Sequence, residues 1–189
     1  MTDELYTKLL NETMQQLKYT TVPRPAAMIA FCGIPGSGKT VLAVRLARDL
    51  QAQYIQNDAI REAARRRGIE LLNPREIAGA AIEKIFADHP NKLIVFDASI
   101  DRNWLTFLER CKKMKATPII VRITIDPAEA IARIERRKRH DTERIIARIP
   151  AYQDQFEACK KELPAHVELT VPFDYEQALT AIKQRLTQL

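Results

Sequence analysis

Gly33-Ile34-Pro35-Gly36-Ser37-Gly38-Lys39-Thr40 is the stretch of this 189-residue sequence that decides its fold. It fits the pattern G-x-x-x-x-G-K-[ST] at every fixed position. An apolar run at residues 26–32 precedes it and has the character of a buried strand, and residues 41–48 follow it with helical spacing. The chain holds only five glycines, and three of them lie in this stretch. Strand, glycine-rich loop and helix in this order indicate a cradle for phosphate and not an ordinary turn.

The residues of this loop have distinct predicted roles in holding a polyphosphate. Glycines let the backbone wrap closely around phosphate oxygens, so that successive N–H groups point inward. The N-terminus of the following helix adds unpaired amides and the positive end of its dipole. Lys39 supplies a charge for the β- and γ-phosphates, and the Thr40 hydroxyl can ligate Mg²⁺. The predicted nucleotide-binding residues are Gly33, Ile34, Pro35, Gly36, Ser37, Gly38, Lys39, Thr40 and Val41.

The composition predicts one globular domain in a reducing compartment. With 46% hydrophobic and 29% charged residues, the chain can bury a core without disulfides. Acidic residues near the start and the lack of a long apolar run predict a cytoplasmic protein without a membrane span. The net charge of +6 suits nucleic acid, an acidic membrane or phosphorylated small molecules, and does not choose among them. Neither a disulfide framework nor a zinc site is indicated, because no C-x-x-C pair occurs among Cys32, Cys111 and Cys159.

The pattern along the rest of the chain alternates strands with helices. Residues 2–19 predict an amphipathic helix and residues 20–25 a proline-containing connector, which divides the chain into residues 1–22 and a main domain at residues 23–189. This alternation indicates an α/β fold with a parallel sheet. Further strands are predicted at 53–56, 92–97, 118–125 and 166–171, and helices at 59–67, 75–88, 102–115, 128–138, 143–161 with a kink at Pro150, and 175–188.

Two carboxylates follow strands at positions that suit phosphoryl-transfer chemistry. Asp97 closes an apolar strand, where it can hold Mg²⁺ directly or through water, or be an ordinary strand-end residue. Asp58 follows the second strand and could accept the proton of an attacking hydroxyl, while Arg61, one helical turn on, could bind the acceptor. A helix cap with a surface arginine is the alternative for that pair. Because ligands of open α/β sheets bind at the carboxyl ends of the strands, Asp58 is predicted to face the phosphate loop.

A basic segment supplies the predicted lid. Arg133 and Arg137 are four residues apart on one predicted helix face, and a segment at about residues 133–142 that carries both could close over the triphosphate. Arg136 is an alternative member of this pair. A solvated charged face is the plain alternative for the whole segment.

On these residues the chain resembles the small P-loop kinases grouped with the polynucleotide 5′-hydroxyl kinase domain and the zeta toxins, with an AAA-type ATP-binding domain. The likeness covers about residues 26–160 and rests on the Gly33–Thr40 loop, on Asp58-x-x-Arg61 and on Arg133-x-x-x-Arg137. It implies that Asp58 acts as base and that Arg61 binds the acceptor. A later strand of that family ends in Asp-x-[ST]-Asn or similar, whereas this chain has Ile100 in place of the asparagine.

The resemblance implies a three-layer P-loop NTPase fold with a five-stranded parallel sheet in the order 2-3-1-4-5 and a small arginine-rich lid. The predicted function is an ATP-dependent kinase acting on a hydroxyl group. Its acceptor is predicted to be a small molecule or nucleotide, in preference to a polynucleotide, because no basic stretch is interleaved with aromatics. A regulatory NTPase and a zeta-toxin-like nucleotide-sugar kinase remain alternatives. The catalytic residues would be Lys39, Asp58, Arg133 and Arg137, with Mg²⁺ held by Thr40 and Asp97.

Overall fold

The computed structural model describes residues 26–57, 74–89, 92–138 and 141–189. The helices predicted at residues 2–19 and 59–67, and with the latter the candidates Asp58 and Arg61, lie outside the described residues. Within the described ranges, no helix is both long enough and apolar enough to cross a membrane.

Strands and helices alternate along the described chain. The strands are β1 (Ala27–Cys32), β2 (Gln53–Gln56), β3 (Leu93–Ser99), β4 (Thr117–Thr124) and β5 (Val167–Thr170). The helices are α1 (Lys39–Asp49), α2 (Pro74–Asp88), α3 (Trp104–Lys113), α4 (Pro127–Arg136), α5 (Thr142–Ile146), α6 (Ile149–Glu162) and α7 (Tyr175–Thr187). The strand boundaries agree with the predicted ones to within one or two residues.

The five strands form one parallel sheet in the order β2-β3-β1-β4-β5, which confirms the predicted topology. The central strand β1 is buried on both faces, as its unbroken apolar sequence predicts. Met28, Ala30 and Cys32 face a core formed with α2, α3, α4 and α6. The alternate residues of β1 face a second core, formed with α1 and α7. Helices on both faces make the three layers.

One predicted helix is divided. The sequence predicts a single kinked helix at residues 143–161, but α5 ends at Ile146 and α6 begins at Ile149. Pro150 lies in the first turn of α6, where its missing N–H is not needed by the helix. The proline therefore begins a new helix instead of bending an existing one.

The pairing of β1 with β3 shifts its register close to the predicted site. Ala30 of β1 pairs with Phe96 of β3, but the next residue of β1, Phe31, pairs with Ser99. Asp97 and Ala98 are thus extra residues on β3 relative to β1. Such irregularities re-aim side chains at strand ends, and this one occurs at the carboxyl edge of the sheet beside the glycine-rich loop.

Candidate phosphoryl-transfer site

The loop between β1 and α1 needs glycine where the chain folds against it. Gly36 has φ +89°, and a β-carbon there would lie 2.7 Å from the carbonyl oxygen of Ala130 in α4. Gly33 has φ +147°, and a β-carbon there would lie 2.7 Å from the carbonyl oxygen of Ile123 in β4. Both separations are shorter than real β-carbon contacts, so any other residue would displace backbone. The loop therefore lies tightly against β4 and α4.

The amides at the start of α1 are available to an anion. Gly38 is the N-cap of this helix and offers no side-chain cap. The amide of Leu42 makes a helical bond to the Gly38 carbonyl at 3.1 Å. The amides of residues 39–41 precede it and have no partner within the helix, as at every helix start. Glycine backbone and free amides at one helix N-terminus fit a bound polyphosphate.

Lys39 is folded back onto the loop that carries it. Its Nζ atom donates to the carbonyl oxygens of Gly33 at 2.6 Å and Ile34 at 2.8 Å, and to Ser37 Oγ at 3.2 Å. Burial lowers the pKa of the ammonium group to about 8, although the nearby carboxylate of Asp101 opposes this shift. The positive charge of Lys39 thus lies on the inner side of the loop, where burial destabilises it and the carboxylate of Asp101 stabilises it in part.

Asp97 meets Thr40 at the opposite rim. Thr40 Oγ1 donates to Asp97 Oδ1 at 3.3 Å, and the Tyr54 hydroxyl of β2 donates to Asp97 Oδ2 at 2.7 Å. The carboxylate is buried, while Thr40 is exposed to the cleft. The two predicted metal ligands therefore lie in contact. Their hydroxyl and carboxylate oxygens are ligands of the kind that Mg²⁺ prefers.

The structure adds two residues that the sequence analysis missed. The Gly33 amide donates to both carboxylate oxygens of Asp101, at 3.2 and 3.3 Å, and Ser99 Oγ donates to the same carboxylate. Asp101 therefore holds the first glycine of the loop. Ser99 is the last residue of β3 and Asp101 lies two residues beyond it, so neither directly follows the apolar run whose end indicates Asp97.

One cleft of about 300 Å³ connects these groups. It is bounded by the loop, by the carboxyl ends of β2 and β3, and by residues at the end of α4, in α5 and in α6. Arg102 and Arg144, which the sequence analysis did not single out, also line it. Of the predicted site residues within the described ranges, those lining the cleft are Gly33, Ile34, Pro35, Gly36, Gly38, Lys39, Thr40, Asp97 and Arg137.

Three of the predicted site residues that the structure describes do not line the cleft. Ser37 is fully buried inside the loop, and the Val41 side chain is 59% exposed on α1. Arg133 forms an ion pair with Glu129 one turn earlier on α4, at 2.7 Å. The predicted pair of lid arginines is therefore divided, because Arg133 is held along its own helix and Arg137, just after α4, reaches the cleft.

A smaller cavity of about 110 Å³ borders the cleft. Asn57, Ala98 and Ser99 line both spaces. The side-chain oxygen Oδ1 of Asn57 is buried and has no hydrogen-bond partner in the part of the chain that the structure describes. Ile100, where the resemblance leads one to expect asparagine, is buried and forms part of the apolar wall. Other lining residues are Met28, Ile82, Phe96, Asn103, Thr106, Phe107 and Arg110.

Known proteins match this chain in sequence over most of its length. The family described as AAA domain matches residues 28–159. The replication factor C small subunit of Archaeoglobus fulgidus is 27% identical in an alignment of 162 residues that covers 80% of this chain and 49% of that protein. The chain thus spans about half the length of this curated relative.

Solved structures match this fold over most of the chain. A gluconokinase from Sinorhizobium meliloti 1021 has a TM-score of 0.60 at 17% identity, covering 88% of this chain and 97% of its own. The APS kinase of Mycobacterium tuberculosis, in complex with AMPPNP and APS, has a TM-score of 0.58 at 14% identity, covering 88% and 100%. The shikimate kinase of Bacteroides thetaiotaomicron has a TM-score of 0.55 at 15% identity, covering 86% and 99%. At these identities the likeness is one of fold.

Proposed function

The chain belongs to the AAA-domain family and has the fold of P-loop kinases, and from this premise we propose that it transfers the γ-phosphoryl group of ATP to a hydroxyl group. The observation that carries the proposal is the cleft that joins Lys39, Asp97 and Asn57. At one edge of the sheet lie the N-terminus of α1, which could bind phosphate, and Thr40 with Asp97, which could hold Mg²⁺. The smaller cavity beside them could hold a second substrate. An enzyme that passes phosphate only to water has no need of that second space.

The nucleotide end of the cleft is supported by the loop amides and by Lys39. The amides of residues 39–41 would bind phosphate oxygens, and Lys39 would leave the loop carbonyls for the β- and γ-phosphates. Thr40 and Asp97 would hold Mg²⁺, which supplies charge neutralisation on the phosphates. Arg137, across the cleft, would neutralise charge that develops on the transferred group.

The acceptor end is supported by the smaller cavity beside the cleft. Its apolar walls suit a compact molecule, and the Oδ1 atom of Asn57, which has no hydrogen-bond partner among the described residues, suits a second polar group of that molecule other than the reacting hydroxyl. Gluconokinase, APS kinase and shikimate kinase, which share this fold, are each named after a small molecule. These names favour a small-molecule or nucleotide acceptor over a polynucleotide. Asp58 follows Asn57 directly in the sequence, and we propose it as the base that accepts the hydroxyl proton, with Arg61 binding the acceptor.

The test is the exchange Asp58→Asn in the full chain. We first expect ATP consumption by the wild-type chain to rise when a hydroxyl acceptor is found in a panel of sugar acids, polyols and nucleosides. Asp58→Asn should then lower the transfer rate at least about a hundredfold, because a positioned general base contributes factors of that order. ATP affinity, measured by calorimetry, should stay unchanged, because the loop is intact.

A matched control is Asp154→Asn, which alters an exposed carboxylate on α6 and should leave both quantities unchanged. An unchanged transfer rate in Asp58→Asn would remove this residue from the role of base. ATP turnover that no acceptor raises would instead indicate a regulatory NTPase that passes phosphate to water. The cytoplasmic location stays a prediction of the sequence.

A further inference from the structure

The fold brings two distant cysteines and a carboxylate together behind the phosphate loop. Cys32 ends β1 and Cys159 lies near the end of α6, 127 residues later, and their sulfur atoms are 3.9 Å apart. A carboxylate oxygen of Asp101 completes the group, with all three ligand atoms within 4.8 Å of one another. Both cysteines are buried, and Asp101 is half-buried.

We propose that Cys32, Cys159 and Asp101 form a binding site for a thiophilic divalent cation of the Zn²⁺ class. This site is separate from the Thr40 and Asp97 pair, whose oxygen atoms suit Mg²⁺. Two thiolates and one carboxylate make a donor set that Zn²⁺ and Cd²⁺ bind strongly and Mg²⁺ does not.

The spacing of the sulfur atoms suits one shared ion. Zn–S bonds of about 2.3 Å at a tetrahedral angle separate two sulfurs by about 3.8 Å. The observed 3.9 Å is close to that value. A disulfide would instead need the sulfurs to approach to about 2.05 Å, about half of the observed separation. Three protein ligands leave the fourth position of the ion to water.

The charges at this place permit the exchange of protons for a metal. The hydrogen bond between the two sulfurs, together with burial, raises the pKa of Cys32, so this thiol stays protonated while no metal is bound. A divalent cation that displaces one proton from each thiol leaves the net charge of the group unchanged, which limits the cost of burying it. The guanidinium of Arg122 and the ammonium of Lys39 lie close enough to favour the thiolates.

The cleft gives a route to the site. Asp101 lines the cleft, whereas the two cysteines lie behind it. A cation that enters the cleft can therefore reach the carboxylate first. Asp101 also accepts the Gly33 amide through both oxygens, so occupation of the site would compete with a contact that holds the phosphate loop.

The experiment titrates the reduced, chelator-treated full chain with Cd²⁺ and then with Zn²⁺. Cd²⁺ is followed by its thiolate charge-transfer absorption, and Zn²⁺ by competition with a chromophoric chelator. We expect one ion per chain and the release of up to two protons per ion, measured from the heats of binding in buffers of different ionisation enthalpy. Cys159→Ala and Cys32→Ala should each weaken binding at least about tenfold and abolish or halve the absorption band.

Cys111→Ala is the matched control, because this third buried cysteine lies in α3 outside the group. It should keep its affinity within about threefold of the wild type. Asp101→Asn keeps both sulfurs and should weaken binding without removing the absorption band, which gives a readout if a cysteine variant fails to fold. A reduced wild-type chain that takes up no Cd²⁺ overturns the proposal. Unchanged binding by Cys159→Ala, or an equal loss in Cys111→Ala, also overturns it. None of these outcomes depends on kinase activity.

Discussion

Burial and nearby carboxylates have opposite effects on the pKa of Lys39. An exposed lysine has a pKa of about 10.4, but burial lowers the pKa of Lys39 to about 8. The carboxylates of Asp101 and Asp97 act in the opposite direction without cancelling the effect of burial. In the free protein the charge is therefore lost within the pH range of ordinary assays. A bound polyphosphate is a closer and larger negative charge, so it should restore the proton.

We expect ATP affinity to fall as the pH rises. About nine-tenths of the free chains carry charged Lys39 at about pH 7, and about one-tenth at about pH 9, from a pKa of about 8. ATP binding requires the charged form, so the dissociation constant should rise roughly tenfold over this interval. At the upper pH, binding should take up nearly one proton per site. Calorimetry in buffers of different ionisation enthalpy measures both quantities.

The control is Lys39→Arg, since a guanidinium stays charged throughout this range. Its ATP affinity, although lower at the outset, should not change with pH, and its binding should take up no proton. A wild-type affinity that is equally flat would show that the ammonium is charged in the free protein and that burial does not shift it.

At the scale of elements, Arg122 joins β4 to its neighbours. Its side chain is almost fully buried, and its guanidinium pairs with Glu168 of β5 at 2.6 Å and donates to the Leu163 carbonyl at the end of α6. Its Nε atom has no hydrogen-bond partner among the described residues. The charge is thus compensated mainly by one carboxylate, which is itself 63% exposed.

We expect the loss of the Glu168 side chain to lower the free energy of unfolding more than the replacement of Arg122 does. Glu168→Ala leaves a buried positive charge with only a carbonyl partner, and should lower the free energy of unfolding by about 2 kcal/mol. Arg122→Met keeps the aliphatic volume and removes the charge with its desolvation cost, and should lower it by about 1 kcal/mol or less. Urea unfolding measures both values. Glu109→Ala, at an exposed site on α3, should stay within about 0.5 kcal/mol of the wild type, and the reverse order of the two variants would contradict the argument.

The elements themselves were readable from the sequence for a physical reason. Strands of a parallel sheet are buried on both faces, so β1 is an unbroken apolar run that ends at the glycine-rich loop, and β3 begins as an apolar run that reaches Asp97. The prediction of one kinked helix at residues 143–161 is wrong, because a proline alone does not tell whether a helix bends or a new one begins. The sheet order came from the resemblance, since local patterns carry no information on which strands are neighbours.

At the scale of the molecule, the site is assembled from segments far apart in sequence. The loop after β1 and the end of β3 line the cleft together with residues at the end of α4, in α5 and in α6. The sequence predicted Lys39, Thr40 and Asp97 because each belongs to a motif or a strand end. Asp101 had no such pattern, and its role depends on how β3 continues past the loop. The same holds for the meeting of Cys32 with Cys159, which only the packing of α6 on the sheet brings about.

The two arginines of the predicted lid provide a test of how the walls of the cleft cooperate. Arg137 lines the cleft and lies near enough to Lys39 to lower its pKa slightly, while Arg133 is paired with Glu129 along α4. Arg137→Ala should therefore lower the rate of ATP turnover roughly hundredfold, as loss of one preorganised charge in a transition state does. Arg133→Ala removes a half-exposed pair within one helix and should change the rate by less than about threefold. Single-turnover measurements with saturating ATP distinguish the two, and Arg137→Lys should recover part of the rate by restoring the charge. Equal losses in both alanine variants would mean that Arg133 leaves Glu129 and enters the cleft when nucleotide is bound. Both arginines, and not Arg137 alone, would then place positive charge beside the phosphates of ATP.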